Sequence, residues 1–298
     1  MPQIMNNERR HRVRVALSAL LGAVALVTAG CGSEPKAARP SVTTTVAVAD
    51  PGVDSGAISV AVPGSLAADF TELQQGFRGS AGLAIMPVGG KKMVTFGNWS
   101  SGPAWSTIKV PLAIAALRNS ASYATYASAA ITASDNGAAD TLWDSLGGGA
   151  AAAQAVQNVL REGGDVRTTV PPTRTRADAS IYGQAEWTLA DQVRFASQLP
   201  CIPQSERVVG LMQQIIASHH WGLGAFGSAE FKGGWGPDPA GKYLVRQFGL
   251  IDSPTGRIAI AFAAQPDSGG FSDGTAMLDK MATLISGHLS ELAGGHCS

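Results

Sequence analysis

Charge is scarce in this sequence: Asp, Glu, Lys and Arg make up 15% of its 298 residues and cancel to a formal net charge of zero. With 45% apolar residues and many Ala and Gly, that scarcity argues against a disordered chain and against a nucleic-acid binder. No basic patch occurs beyond the extreme N-terminus. No apolar run reaches the roughly 20 residues that a membrane-spanning helix needs, no internal repeat is visible, and cysteine occurs only three times. What is present is enough apolar chain for one large domain or two small ones with a sizeable core.

The N-terminus is a targeting segment. Arg9, Arg10, Arg12 and Arg14 precede an apolar run from Val15 to Val27, and Thr28-Ala29-Gly30 then places small residues directly before Cys31. This resembles a bacterial lipoprotein signal over residues 1–30, with cleavage before a lipidated Cys31; Thr28 stands where leucine is usual. Removing residues 1–30 takes away four arginines and Glu8, which leaves a mildly acidic chain with no reason to seek polyanions. Export also leaves Cys201 and Cys297 as an even pair in an oxidising compartment, either bridged or as two separate buried thiols. Residues 31–64 are rich in Ser, Thr, Ala, Val, Pro and Asp without helical periodicity. They read as a tether, with one short strand at 58–62.

The remaining residues, 65–298, form one folded unit. Apolar spacing predicts a helix over 65–77, strands over 81–86 and 92–96, and a helix over 108–117 in which Pro111 sits in the tolerated first turn. Helices over 134–146 and 150–161 follow, then a Pro/Arg/Thr-rich loop over 167–183. Further helices span 188–199, capped by Thr188, and 205–218. Strands over 229–232, 243–250 and 258–264 and a helix over 274–289 close the chain. Strands at both ends with helices between them predict one antiparallel sheet, the first and last helices on one face, and an inserted helical subdomain over about 119–187. The cleft between sheet and insert is where a site belongs.

Three short motifs fall around that cleft: Ser106-Thr107-Ile108-Lys109, Ser134-Asp135-Asn136 and Lys232-Gly233-Gly234. Residues three apart share a helix face, so Ser106 and Lys109 present a hydroxyl and an amine side by side. Each motif has an ordinary explanation alone. Ser-x-x-Lys also occurs at Ser33–Lys36 in the tether, Ser-Asp-Asn is a good helix start, and Lys-Gly-Gly suits a strand end with a bulge. In order and in these contexts they form the inventory of a serine acyl-transfer site that uses lysine in place of histidine.

With its flanks, Ser-Thr-Ile-Lys-Val-Pro-Leu and Ile-Thr-Ala-Ser-Asp-Asn-Gly, the set resembles the penicillin-recognising serine hydrolases, meaning class A β-lactamases and D,D-peptidases. The likeness extends from about Leu66 to the C-terminus and is greatest to lipid-anchored, Ala-rich actinobacterial members. It implies an α/β fold of the α+β kind: a five-stranded antiparallel sheet flanked by helices, with a reduced all-helical subdomain. It implies Ser106 as nucleophile, Lys109 as its base and Ser134 as proton carrier to the leaving nitrogen. Asn136 would hold a substrate amide and Lys232 a carboxylate, with Lys232 also able to lower the Lys109 pKa. Gly234 and Trp235 would line the substrate site, the N–H groups of Ser106 and Trp235 forming the oxyanion hole. No cofactor or metal is implied. The partners would be a small-molecule or peptide substrate of the cell wall and the membrane reached through Cys31.

Three departures narrow the expectation. The stretch between Ser106 and Ser134 is shorter than in typical class A enzymes. Gly233 replaces a hydroxyl residue. The 167–183 loop has no glutamate to activate a deacylating water, and Glu162 and Glu186 only flank it. Efficient antibiotic hydrolysis is therefore not expected; acyl transfer on D-Ala-D-Ala-type peptides or related amides and esters is, with a non-catalytic envelope-organising lipoprotein as the rival. Other signals carry less. Gly270–Gly274 fits Gly-x-Ser-x-Gly, but too little chain follows it to supply an acid and a histidine. His219 and His220 are adjacent and cannot share a helix face as metal ligands.

Overall fold

A computed structural model describes residues 64–298. The expected signal segment, Cys31, the expected tether up to residue 63 and the strand expected at 58–62 lie outside the described residues.

The central sheet is antiparallel with strand order β2-β1-β7-β6-β5. Its strands are β1 (Gly79–Pro87), β2 (Val94–Gly97), β5 (Glu230–Pro237), β6 (Tyr243–Ser253) and β7 (Gly256–Pro266). The middle of β7, Ile258 to Ala264, is fully buried. Alternating Ala with Ile and Phe keeps that strand thin, so helices approach both faces. Successive residues of a strand point to opposite faces, and β6 shows which helix covers which. Gly274 of α8 (Phe271–Gly287) abuts Val245, whereas Arg246 reaches Gln192 of α6 (Leu189–Gln198). The first helix, α1 (Gly64–Gln75), packs beside α8, as the order of elements predicts.

Helices α2 (Lys109–Asn119), α3 (Ala124–Thr132), α4 (Asn136–Ser145) and α5 (Gly149–Glu162) build the helical part. Alanines at buried positions of α2, α3, α4 and α5 let these short helices pack closely. Asp135 caps α4 by accepting from the Ala138 N–H at 2.6 Å, and Thr188 caps α6 by accepting from the Asp191 N–H at 3.0 Å.

Several elements differ from the periodicity reading, among them β5, which runs on to Pro237 beyond the expected end at residue 232. A small second sheet pairs β3 (Ser101–Pro103) with β4 (Glu186–Thr188), strands too short to leave an alternating pattern. The helix expected over 205–218 stops early, as α7 (Glu206–Met212). Ile216 N–H then donates to Thr132 O, turning the chain toward the cleft. The final helix starts at Phe271 rather than at 274 and ends at Gly287.

Cys201, just after α6, is bonded to Cys297 across a sequence separation of 96 residues. Closing so long a loop restricts the unfolded chain strongly, so reduction is expected to lower stability by about 2–5 kcal/mol. Denaturant melts with and without reductant measure this; coincident melts would contradict it.

Candidate active site

The Ser106 turn is held from three sides. Residues Trp105–Ile108 form a single 3₁₀ turn, and α2 begins only at Lys109. Trp105 has φ of 49°, an uncommon conformation for a residue with a side chain, and such strain persists only where surroundings enforce it. Ala104 N–H donates to Ala185 O at 2.8 Å. Thr107 Oγ1 donates to Ala104 O at 2.5 Å and accepts from Gln192 Nε2 at 3.0 Å. Gln192 Oε1 in turn accepts from Arg246 Nη2 at 2.9 Å. Arg246 is fully buried and also donates to the carbonyls of Gly102, Pro103 and Trp187, with its guanidinium 5.3 Å from the Trp99 ring centroid. A chain from β6 through α6 thus locks the turn that carries Ser106.

The third side is β5, an edge strand of the sheet. A Cβ added to Gly234 would stand 2.9 Å from Ala104 O and from the Ser106 and Thr107 nitrogens, so only glycine permits this approach. The edge of β5 and the Ser106 N–H are thereby brought to one place, as a two-donor oxyanion hole requires.

Ser134 is the meeting point of both lysines. Its φ of 57° is left-handed, and this kink turns both its carbonyl and its hydroxyl inward. Lys109 Nζ donates to Ser134 O at 2.6 Å and Asn136 Oδ1 at 2.7 Å, with longer contacts to Asp135 O at 3.3 Å and Ser134 Oγ at 3.5 Å. Lys232 Nζ donates to Ser134 Oγ at 2.9 Å and Gly233 O at 2.8 Å. Six of the motif residues, Lys109, Ser134, Asp135, Asn136, Lys232 and Gly233, thus share one hydrogen-bonded web. Ser106 stands apart from it: among the described residues its hydroxyl makes no hydrogen bond, so it is not joined to Lys109 as sharing a helix face would suggest. The Lys109 amine is instead engaged by Ser134 O and Asn136 Oδ1.

Burial lowers the Lys109 pKa to about 8, against the opposing pull of the Asp135 and Asp140 carboxylates. Burial, and then the Lys109 charge, push Lys232 well below its ordinary value. Desolvation is thus the main cause of Lys109's lowering, not a cationic Lys232. Behind Asn136, Tyr182 Oη donates to Asp140 Oδ1 at 2.8 Å; burial and the Asp140 charge raise the tyrosine's pKa, keeping it a neutral donor.

Ser106 opens into a cavity of about 200 Å³ lined by Trp105, Asn136, Asp178, Ser180, Trp235 and Tyr243, among others. Two larger hollows, of about 590 and 610 Å³, contain no motif residue, so size alone does not find the chemistry. Behind Trp235, which lines this cavity, a further indole is packed in place. Gln247 accepts from Leu223 N–H and donates to Trp221 O, which holds Trp221 over Gly233. A Cβ at Gly233 would meet the Trp221 ring at 2.8 Å. The missing hydroxyl is therefore matched by an indole in its space. Trp221 and Trp235 meet edge to face, and His219 packs on Trp235 with centroids 4.9 Å apart. Burial and the two lysine charges lower the His219 pKa. His220 turns away, its Nε2 2.7 Å from Ile215 O. Among the described residues no three His, Cys, Asp or Glu side chains are grouped to hold a metal ion.

Solved structures match this arrangement over most of their length. The TLA-3 extended-spectrum β-lactamase superposes with a TM-score of 0.64 at 14% identity, covering 76% of this chain and 98% of that one. The chain has the class A β-lactamase fold. The TLA-1 extended-spectrum β-lactamase gives a TM-score of 0.61 at 15% identity over 76% and 98% of the two chains. An ancestral class A β-lactamase gives 0.58 at 18% identity over 74% and 99%. No protein-family model and no curated protein matches the sequence. At these identities the fold alone is shared, and the chemistry rests on the residues themselves.

Sequence reasoning did not find the Thr107–Gln192–Arg246 chain, although Arg246 is a charge inside the apolar run Tyr243–Leu250 and so carried a signal. Nor did it find Arg176 and Asp178 at the cavity mouth, where nothing in the loop's composition distinguishes them.

Proposed function

We propose that this chain is an exported, lipid-anchored serine acyl-transfer protein in which Ser106 attacks D-Ala-D-Ala-type cell-wall peptides or related amides and esters. The observation that carries this is Ser134 Oγ gripped by Lys232 at 2.9 Å within reach of Lys109 at 3.5 Å, at the strand edge that meets Ser106. A neutral Lys109 takes the Ser106 proton as Oγ bonds to the substrate carbonyl carbon. The oxyanion is met by the N–H groups of Ser106 and Trp235, each such donor being worth about 3–4 kcal/mol. The proton then passes through Ser134 to the leaving nitrogen as the C–N bond breaks, and an ester on Ser106 remains.

Release of that ester is the weak step. No glutamate faces the cavity, and its one carboxylate, Asp178, is engaged by Arg176 and held below its usual pKa by that hydrogen bond, which makes it a poor base. The acyl-enzyme is therefore expected to persist. Export and lipidation at Cys31 are supported by the N-terminal sequence pattern and by the Cys201–Cys297 bond, which suits an oxidising compartment.

A second reading, a non-catalytic envelope lipoprotein that keeps the fold, is favoured by the unbonded Ser106 hydroxyl and the small cavity. Incubating the full chain with benzylpenicillin and recording intact mass separates the readings. A stable adduct is expected; rapid drug hydrolysis would instead indicate a β-lactamase, and an unmodified chain would indicate the non-catalytic protein.

A further inference from the structure

Strand β5 acts as a ruler along the cleft. Lys232 holds Ser134, Gly234 abuts the Ser106 turn, and Pro237 O accepts from Arg176 Nη1 at 2.8 Å. In the reading proposed above, on which this inference rests, Ser134 passes its proton to the leaving nitrogen. The leaving group therefore lies toward Lys232, and the part of the substrate that stays on Ser106 extends toward Pro237. Pro237 lies three strand steps beyond Gly234, about 10 Å at the usual rise.

At that end stands a built pair of charges. The Arg176 guanidinium lies 5.6 Å from the Trp105 ring centroid and grips Asp178 with Nε at 3.2 Å and Nη2 at 2.6 Å. Gln184 shapes the segment by accepting from the Thr175 and Arg176 N–H groups and donating to the carbonyls of Arg176, Ala179 and Ser180. The Thr175 hydroxyl donates to it as well, so one side chain holds the backbone on either side of the pair. Yet the pair itself is open to water, with side-chain exposures of 27% for Arg176 and 65% for Asp178. An exposed pair two residues apart contributes little to folding, but its charges can be exchanged with a ligand at little cost.

We propose that Arg176 and Asp178 are the receptor for a zwitterionic amino-acid head group on the acyl side of the substrate, such as a peptide side chain ending in both an ammonium and a carboxylate. Arg176 offers a planar donor fork that suits a carboxylate, and Asp178 offers the acceptor for the ammonium. A lone carboxylate meets repulsion from Asp178 and a lone ammonium meets it from Arg176, so only a group with both charges satisfies the pair. Trp105, under the guanidinium, and Asp178 both line the cavity, which sets the fork at its edge.

Three cephalosporins that differ only in the acyl side chain test this: cephalosporin C (ammonium plus carboxylate), its glutaryl counterpart (carboxylate only) and cephalothin (neutral). Their affinities are measured by calorimetry on the full chain carrying Ser106→Ala, which binds without being acylated. Cephalosporin C is expected to bind about tenfold tighter than either other compound, and Arg176→Ala or Asp178→Asn added to that chain should each abolish the preference. Equal affinities, no measurable binding of any of the three, or a preference that survives both substitutions would overturn the proposal. Labelling of unaltered Ser106 by the same compounds reads the chemistry separately. Preference without labelling sinks the acyl-transfer reading and leaves the receptor standing, whereas labelling without preference sinks only the receptor.

Discussion

Replacing Lys109 with alanine is expected to slow penicillin acylation roughly 100- to 10,000-fold, the range typical of a lost general base. Lys109 is fully buried at the start of α2, and burial brings its pKa to about 8. Only the free amine can accept the Ser106 proton, so the wild-type rate should rise with pH, tenfold per unit below about 8, and level off above it. The variant should lose this profile along with the rate. The linked stability effect has a definite sign. Between about pH 8 and the ordinary lysine value of 10.5, the folded chain binds fewer protons at this site than the unfolded chain, so this lysine's contribution to stability rises with pH across that window. Stopped-flow labelling of both proteins across pH measures the first effect. A variant within about tenfold of wild type, or an unchanged pH profile, would remove Lys109 as the base.

Replacing Arg246 with methionine is expected to cost about 3 kcal/mol or more of folding stability. Methionine keeps much of the volume but none of the donors, so the carbonyls of Gly102, Pro103 and Trp187 and the Gln192 amide oxygen each lose the guanidinium. A buried acceptor left without a donor costs about 1–3 kcal/mol. Relief from burying a cation, several kcal/mol, offsets part of that sum. Because Gly102 and Pro103 lead directly into Trp105 and Ser106, and Gln192 holds Thr107, acylation should slow as well. Urea melts with labelling rates test this, and a loss below about 0.5 kcal/mol would show that the network does not hold the turn.

The sheet and its flanking helices were legible because their residues obey local rules. The apolar run at 258–264 became the buried centre of β7, the Ser134-Asp135-Asn136 run became the cap of α4, and Thr188 became the cap of α6. The site was legible in part. Lys109, Ser134, Asn136 and Lys232 converge, and Gly234 is the close-approach residue beside Ser106. Relations between distant segments were not legible. That an indole from residue 221 fills the space beside Gly233 depends on Gln247, an anchor on another strand. That Ser106 sits on a 3₁₀ turn ahead of α2 depends on strained Trp105 and on contacts from β5 and α6, and that the Lys109 amine turns to Ser134 and Asn136 depends on a segment 25 residues away. Motif spacing carries chemistry only as far as local geometry extends, and here that geometry is imposed from elsewhere in the fold.

Mapping the acylated residue addresses Ser106 most directly. The full chain is incubated with benzylpenicillin near pH 8.5 (roughly half a unit above the Lys109 midpoint), freed of drug, digested and sequenced by mass spectrometry. One penicilloyl group on the Ser106 peptide, still present after the free drug is removed, is the predicted result. An unmodified Ser106, or an adduct on another residue, would contradict the assignment of Ser106 as an acylated nucleophile.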